Sequence, residues 1–451
     1  MRSALFISLL TIISCAIVII SCGGGQPGTV NVSMSDPATC AAPTGPYRHL
    51  YVTVTDVLIH QSANASANDS GWQDLTPKLK DNPVQVDLLG VANQCFLAML
   101  GSTGIEAGHY QQVRVILAAN NVNVANNKCG NVANCVTLTN DPLNTPIALQ
   151  LSSESQTGIK IPSGQLAGGE FVIGSGETKD LNIDFNACAS MVVQGNGQYR
   201  LKPVLHAGEV STQTTASTIT GTIIDGSTVQ PVVGGNTIVA LEQNDGNGTD
   251  RVIMEATAAS NGSFSFCPVP AGTYDIVAVA VNGAGNTYSA TVITGVKPGD
   301  AIGTIPLTPA GWPSSITGQI TSAGNSGAVS VDLSVSALQS AGNNLLVSVP
   351  LAQQSAATAS LTTANCGSVD CANYTLSLPG ANPAVVAFTT INPVPAAPAG
   401  PPVNYVVDAQ AFVPGSAGQQ DCSAPDLQTS PLTVTAGAST PAPDINFTSC
   451  Q

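Results

Sequence analysis

The sequence predicts an all-β protein, with three β-sandwich domains in series behind an N-terminal signal peptide. Three observations carry that prediction. Short runs alternate apolar and polar residues with the two-residue period of a strand. Turn formers punctuate them, with 44 Gly and 30 Pro in 451 residues. Only 9% of residues are charged while 43% are hydrophobic, the balance of a chain that buries several cores.

Met1-Arg2-Ser3 precedes a nearly unbroken apolar run from Ala4 to Ile20, the charged and hydrophobic regions of a secretory signal in order. The run ends in Ser21, Cys22 and three glycines, where a stop-transfer helix would show Lys or Arg. Ile19-Ile20-Ser21-Cys22 resembles a bacterial lipobox. The resemblance implies a lipoprotein signal peptide at 1–21, cut before Cys22, with a diacylglyceryl group on the Cys22 thiol and an acylated amine. Residues 22–28 then form a lipidated tether. Several acyl chains at roughly 0.8 kcal/mol per buried methylene would hold it to the membrane permanently. Ile12-Ile13-Ser14-Cys15 carries the same pattern, but cutting there would leave Ala16 to Ile20 as an apolar stub, so Cys22 is preferred. An uncleaved anchor with Cys22 as a bystander is the alternative. Gly23 lacks the Asp that resembles an inner-membrane retention signal, so the expected location is the outer membrane, on its periplasmic or surface face.

The formal net charge is −15, and loss of Arg2 with the signal makes the exported chain one unit more negative. With so few Lys and Arg there is no basic stripe for phosphates, which excludes nucleic acid as the expected partner. Of twelve cysteines, setting aside Cys15 and Cys22 leaves an even ten in an oxidising compartment, read as disulfides. Cys129/Cys135 and Cys366/Cys371 would each staple a short loop, worth about 2 kcal/mol. Cys422/Cys450 would close a longer loop, worth about 3 to 4 kcal/mol. The pairing of Cys40, Cys95, Cys188 and Cys267 is left open. Without a CxxC and with scattered histidines, neither a metal site nor a cofactor is expected.

The first domain spans 29–210. Val30, Val32 and Met34 alternate, as do Leu50, Val52 and Val54, then Val84, Val86 and Leu88. Val113, Val115 and Leu117 follow, then Ile147, Leu149 and Leu151, then Leu181, Ile183 and Phe185, and last Leu201 to Leu205. Seven or more such strands make a β-sandwich. One short helix is expected from Gln94 to Leu100.

The order Ser35-Asp36-Pro37, Tyr51-Val52-Thr53-Val54-Thr55-Asp56-Val57, Trp72, Asp87-Leu88-Leu89, and Ala107-Gly108-His109-Tyr110 with Val113-Arg114 resembles domain-of-unknown-function family 4382. Gly158-Ile159-Lys160, Leu181 to Cys188, and Leu201-Lys202-Pro203-Val204 continue the resemblance to the end of the domain. It implies a secreted or lipid-anchored β domain and hands over no catalytic residues. Asp36, Asp56, Asp87 and Asp184 sit at strand ends, where they could gather a cation such as calcium. Aspartates there more commonly cap turns, and that reading is preferred. His49, His60, His109 and His206 have no nucleophile in a recognisable local setting, and no G-x-S-x-G elbow occurs.

Residues 211–218 read as a polar linker, and 219–308 as a second sandwich. Ile219-Thr220-Gly221-Thr222-Ile223, Asn261-Gly262-Ser263-Phe264 and Pro270-Ala271-Gly272-Thr273-Tyr274-Asp275-Ile276 resemble the carboxypeptidase regulatory-like domain, a transthyretin-like, carbohydrate-binding-like fold. Asp245 to Asp250 resembles the start of a calcium loop. It fails at Thr249, Asp250 and Ala256, so a hairpin tip is expected. Ile316-Thr317-Gly318-Gln319-Ile320 echoes Ile219 to Ile223 and opens a third sandwich, 312–451, read as a diverged repeat of the second or as a chance likeness. Pro393 to Pro402 should be an extended loop.

The expected function is a non-catalytic binding, adhesion or structural module of the cell envelope, partnered by the membrane and by a polysaccharide, peptidoglycan or an envelope protein. A dedicated carbohydrate binder is the alternative, with Trp72 and Trp312 as the rings to stack on a sugar. An envelope hydrolase built on carboxylates of the first domain is the second alternative.

Overall fold

The computed structural model describes residues 26–35, 46–91, 97–151, 155, 157–161, 163–187, 190–193, 198–201, 205–210, 217–322, 332–350, 370–413, 422–423 and 426–447. The protein is all-β. Among the described residues, helix is confined to the four-residue Leu88–Val91, two 3-10 turns at Ser163–Gln165 and Ala167–Gly169, and Ser217 in the same 3-10 conformation. None of these is long and apolar enough to cross a membrane.

In the first segment Gly28–Ser35 pairs parallel with Thr178–Phe185 and antiparallel with Ala98–Ile105. The expected helix from Gln94 to Leu100 is therefore corrected, because Ala98 to Leu100 belong to a strand. Its start lies outside the described residues. The strand expected through Leu88 stops at Asp87, and Leu88 opens the short helix. The second sheet of this segment is built on the 14-residue strand Tyr47–His60, which pairs antiparallel with Gln73–Asp74, Val84–Asp87, Gln112–Leu117 and Cys135–Leu138. The alternation works as expected: Val30, Val32, Met34, Leu50, Val52, Val54, Val113, Val115, Leu181, Ile183 and Phe185 all enter one core.

The rest of the chain departs from two sandwiches in series. Two strand pairs cross the expected boundary, Thr249–Thr257 with Leu345–Ser348 and Thr291–Val296 with Ala384–Ala387, both parallel. They join residues of both segments into one 13-stranded sheet. The reason lies in Ile238-Val239-Ala240-Leu241 and in Ile276-Val277-Ala278-Val279-Ala280. Val239, Leu241, Ile276 and Ala278 pack into one core with Ile219, Phe264 and Ile305. Their chain neighbours Ile238, Val277 and Val279 pack into another with Ile316, Leu376 and Tyr405. Strands apolar on both faces must be covered on both faces.

The two openings sit alike in their sheets. Ile219–Asp225 pairs antiparallel with Ser263–Phe266 and parallel with Ala301–Leu307. Ser314–Ser322 pairs antiparallel with Asp370–Leu378 and parallel with Ser439–Pro441 and Ile445–Phe447. Each segment also anchors a buried tyrosine hydroxyl on a proline carbonyl, Tyr274 on Pro270 at 2.9 Å and Tyr405 on Pro379 at 2.8 Å.

Candidate ligand-binding site

Trp72 and Trp312 look equivalent in the sequence, but their surroundings differ. Trp72 is half-buried. Its indole N–H donates to Ser66 O at 2.9 Å, its ring meets His60 with centroids 5.0 Å apart, and the Arg114 guanidinium carbon lies 5.3 Å from the ring centroid. Arg114 and His60 both lie against this ring, so less of it is open than of Trp312.

Trp312 is 65% exposed. It lies between Pro309–Gly311 and Ser314–Ser322, where the second segment hands over to the third. Its groove, about 520 Å³, is lined by Ala310, Gly311, Pro313, Ala436 and Gly437, none of them ionisable. Gly285 borders the ring and Gly437 the Trp312 Cβ, at φ +83° and +75°, conformations that favour glycine. A Cβ on Gly285 would stand 3.6 Å from Trp312 Cζ3, an ordinary contact, so it is the backbone conformation that calls for glycine there. The frame is fixed by Thr287 Oγ1 donating to Gly311 O at 3.0 Å and Ser314 Oγ donating to Thr435 O at 2.9 Å. An exposed indole on a rigid, uncharged frame can stack on the apolar face of a ring-shaped ligand.

The acidic and histidine candidates scatter. Lys80 Nζ sits between two carboxylates, 3.1 Å from Asp56 Oδ2 and 2.7 Å from Asp74 Oδ2. Burial and then the Asp74 carboxyl push Asp56 up to about 6, with Lys80 opposing. A hydrolase would need room for substrate between its acids, and here the ammonium fills the gap. Asp87 accepts from His49 at 2.7 Å, Asp184 belongs to the other sheet, and Asp36 lies outside the described residues. Among the described residues no group of three acids, histidines or cysteines could hold a metal. His60 contacts Ser70 O, His109 contacts Glu170, and His206 is buried. The Asp245 loop is a hairpin tip whose Oδ1 accepts from Asn247 N and Thr249 N.

Cys129 and Cys135 form a disulfide with Cα atoms 5.6 Å apart. Cys371 and Cys422 lie in strands, and Cys267 is disulfide-bonded. Cys22, Cys40, Cys95, Cys188, Cys366 and Cys450 lie outside the described residues.

Comparison with known families bears on the first segment. Residues 27–203 match the DUF4382 family, described as a domain of unknown function. The matched stretch covers most of the first sandwich, whose last strand Leu205–Glu209 lies beyond it. No curated protein matches the chain. Solved structures show only distant likeness. A leucine-rich repeat protein from Bacteroides thetaiotaomicron is 14% identical over 51% of this chain and 27% of its own, with a TM-score of 0.22. The Bacillus anthracis TIE protein is 8% identical over 94% of this chain and 50% of its own, at 0.17. The shaft pilin SpaA of Lactobacillus rhamnosus GG is 9% identical over 64% of this chain and 98% of its own, at 0.18. The chain spans about a quarter of the first of these and half of the second. At such scores the likenesses carry no argument.

Proposed function

We propose that the protein is a non-catalytic binding module of the cell envelope, lipid-anchored through Cys22 in the outer membrane, which takes a neutral polysaccharide on Trp312. The observation that carries this reading is the Trp312 ring, 65% exposed on a groove without an ionisable lining residue. The net charge of −15 disfavours polyanions, so the polymer is an uncharged one. Asp56 and Asp74 are bridged by Lys80, Asp87 is held by His49, and His109 meets Glu170, which supports binding rather than catalysis.

The test is binding of the soluble Cys22→Ser protein to a panel of neutral and acidic polysaccharides and peptidoglycan. Trp312→Ala should weaken binding about 3- to 10-fold, the range of one aromatic stacking contact. Capture of no polymer at all sinks the sugar reading and leaves an envelope protein as the partner, and equal binding by the variant takes the sugar off Trp312. For the anchor, Cys22→Ser should abolish palmitate labelling and release the protein from the membrane fraction. A labelled variant would show the lipid to be elsewhere.

A further inference from the structure

Thr178–Phe185 and Leu205–Glu209 place Asp184 and His206 directly opposite each other in an antiparallel pair. Both line a small chamber of about 10 Å³ between the first and second segments, with Gln165, Asn182, Gln243 and Met254 among its walls. The contact is close there, because a Cβ on Gly208 would lie 2.6 Å from Ala167 and 2.7 Å from Pro270. Asp184 is 4% exposed and His206 7%. Asp184 Oδ2 and His206 Nδ1 are nevertheless without hydrogen-bond partners. Two such atoms left bare in one chamber would be a substantial cost to folding.

A directed chain of hydrogen bonds leads to them. Ser33 Oγ donates to Asn182 Oδ1 at 3.2 Å, Asn182 Nδ2 donates to Ser35 Oγ at 2.7 Å, and Ser35 Oγ donates to Asp184 Oδ1 at 3.3 Å. The chain reaches Asp184 with one oxygen satisfied and the other open. No charged side chain other than Asp184 and His206 lines the chamber. Burial therefore holds Asp184 well above the ordinary carboxylate range and lowers His206 to about 4, favouring a neutral acid facing a neutral imidazole. Neutral Asp184 offers an Oδ2–H donor, and His206 Nδ1 is an acceptor when the proton sits on Nε2.

We propose that the chamber binds one water molecule, which accepts a hydrogen bond from Asp184 Oδ2–H and donates one to His206 Nδ1. A chamber of this size suits one water, which needs roughly 10–15 Å³ and at least two polar partners. The water completes a polar chain from Ser33 to His206 within the first segment, beside its joint with the second. The assignment is independent of the Trp312 reading.

The deciding experiment is a high-resolution crystal structure of the soluble Cys22→Ser protein at neutral pH, with histidine ¹⁵N spectra of the same protein. Expected are a water within hydrogen-bonding distance of both atoms, an acceptor-type Nδ1 on His206, and no His206 titration near its ordinary pKa. A dry chamber, a direct Asp184–His206 hydrogen bond, or His206 titrating near 6.5 overturns the proposal. Asp184→Asn adds an independent reading because its amide keeps a donor but has no proton to lose. Its unfolding midpoint should rise relative to that of the unaltered protein as pH goes from about 5 to about 8. A constant or falling difference would mean that Asp184 is not the neutral donor, and the assignment would fail.

Discussion

Under the proposed function, Trp72 and Trp312 separate stability from binding at the level of one side chain. Trp72 contributes packing against Arg114 and His60 and a hydrogen bond to Ser66 O, so Trp72→Ala should cost roughly 2 kcal/mol of stability. It should leave polysaccharide binding unchanged. Urea unfolding alongside the binding panel checks both. A Trp72→Ala protein of normal stability that has lost binding would move the site to the first segment. Nothing local distinguishes the two tryptophans, since each sits in turn-rich sequence. The difference comes from Arg114, 42 positions away, and from Gly285 and Gly437, which reach Trp312 only through the fold.

At the scale of elements, the two-residue period shows which strands are apolar on one face, and it says nothing for strands apolar on both. Val30, Val32 and Met34 alternate because one face of their strand packs, and the period alone gives that. Ile276 to Ala280 does not alternate, and this continuous apolar run was the available signal that a second layer must cover the sheet. The Cys129–Cys135 loop is a different case, because its spacing suggested the staple but could not reveal the frame beneath. Gln85 Nε2 donates to Asn127 Oδ1 at 2.9 Å and to Ala133 O at 3.1 Å, while Lys128 N donates to Gln85 Oε1 at 2.8 Å. Cys129→Ser with Cys135→Ser should therefore cost about 2 kcal/mol while the strand Cys135–Leu138 stays paired. Urea unfolding and amide hydrogen exchange would test this. Loss of protection in that strand would show that the bond, rather than the frame, holds it.

For the whole molecule, the joint between the second and third segments is unusually acidic. Arg251 reaches Asp408 and Asp426 of the third segment and Asp245 of its own. On the neighbouring strand Glu242 is fully buried, accepting from Ser348 N at 3.0 Å through one oxygen, and lies directly opposite Asp275. Asp250 accepts from Asn244 at 3.0 Å, and burial together with Asp275 pushes it up to about 7. Burial and Asp250 likewise raise Glu242 well above its ordinary range. The sign of the pH effect follows from these directions. Below about pH 4 Asp250 is protonated whether the chain is folded or unfolded, so it adds no pH dependence. Between about pH 4 and pH 7 the unfolded chain releases the proton more readily, and the folded protein loses stability relative to one without this group. Above that window both states are ionised and the difference is constant. Asp250→Asn should therefore gain on the unaltered protein steadily from about pH 4 to about pH 7 and no further. Urea midpoints of the two proteins across that range decide the matter. Parallel curves would mean that Asp250 ionises as freely in the joint as in the unfolded chain, and a shrinking gap would require a cation that holds it charged. The same measurement should show a single transition for the second and third segments, because strands from both share one sheet and one core.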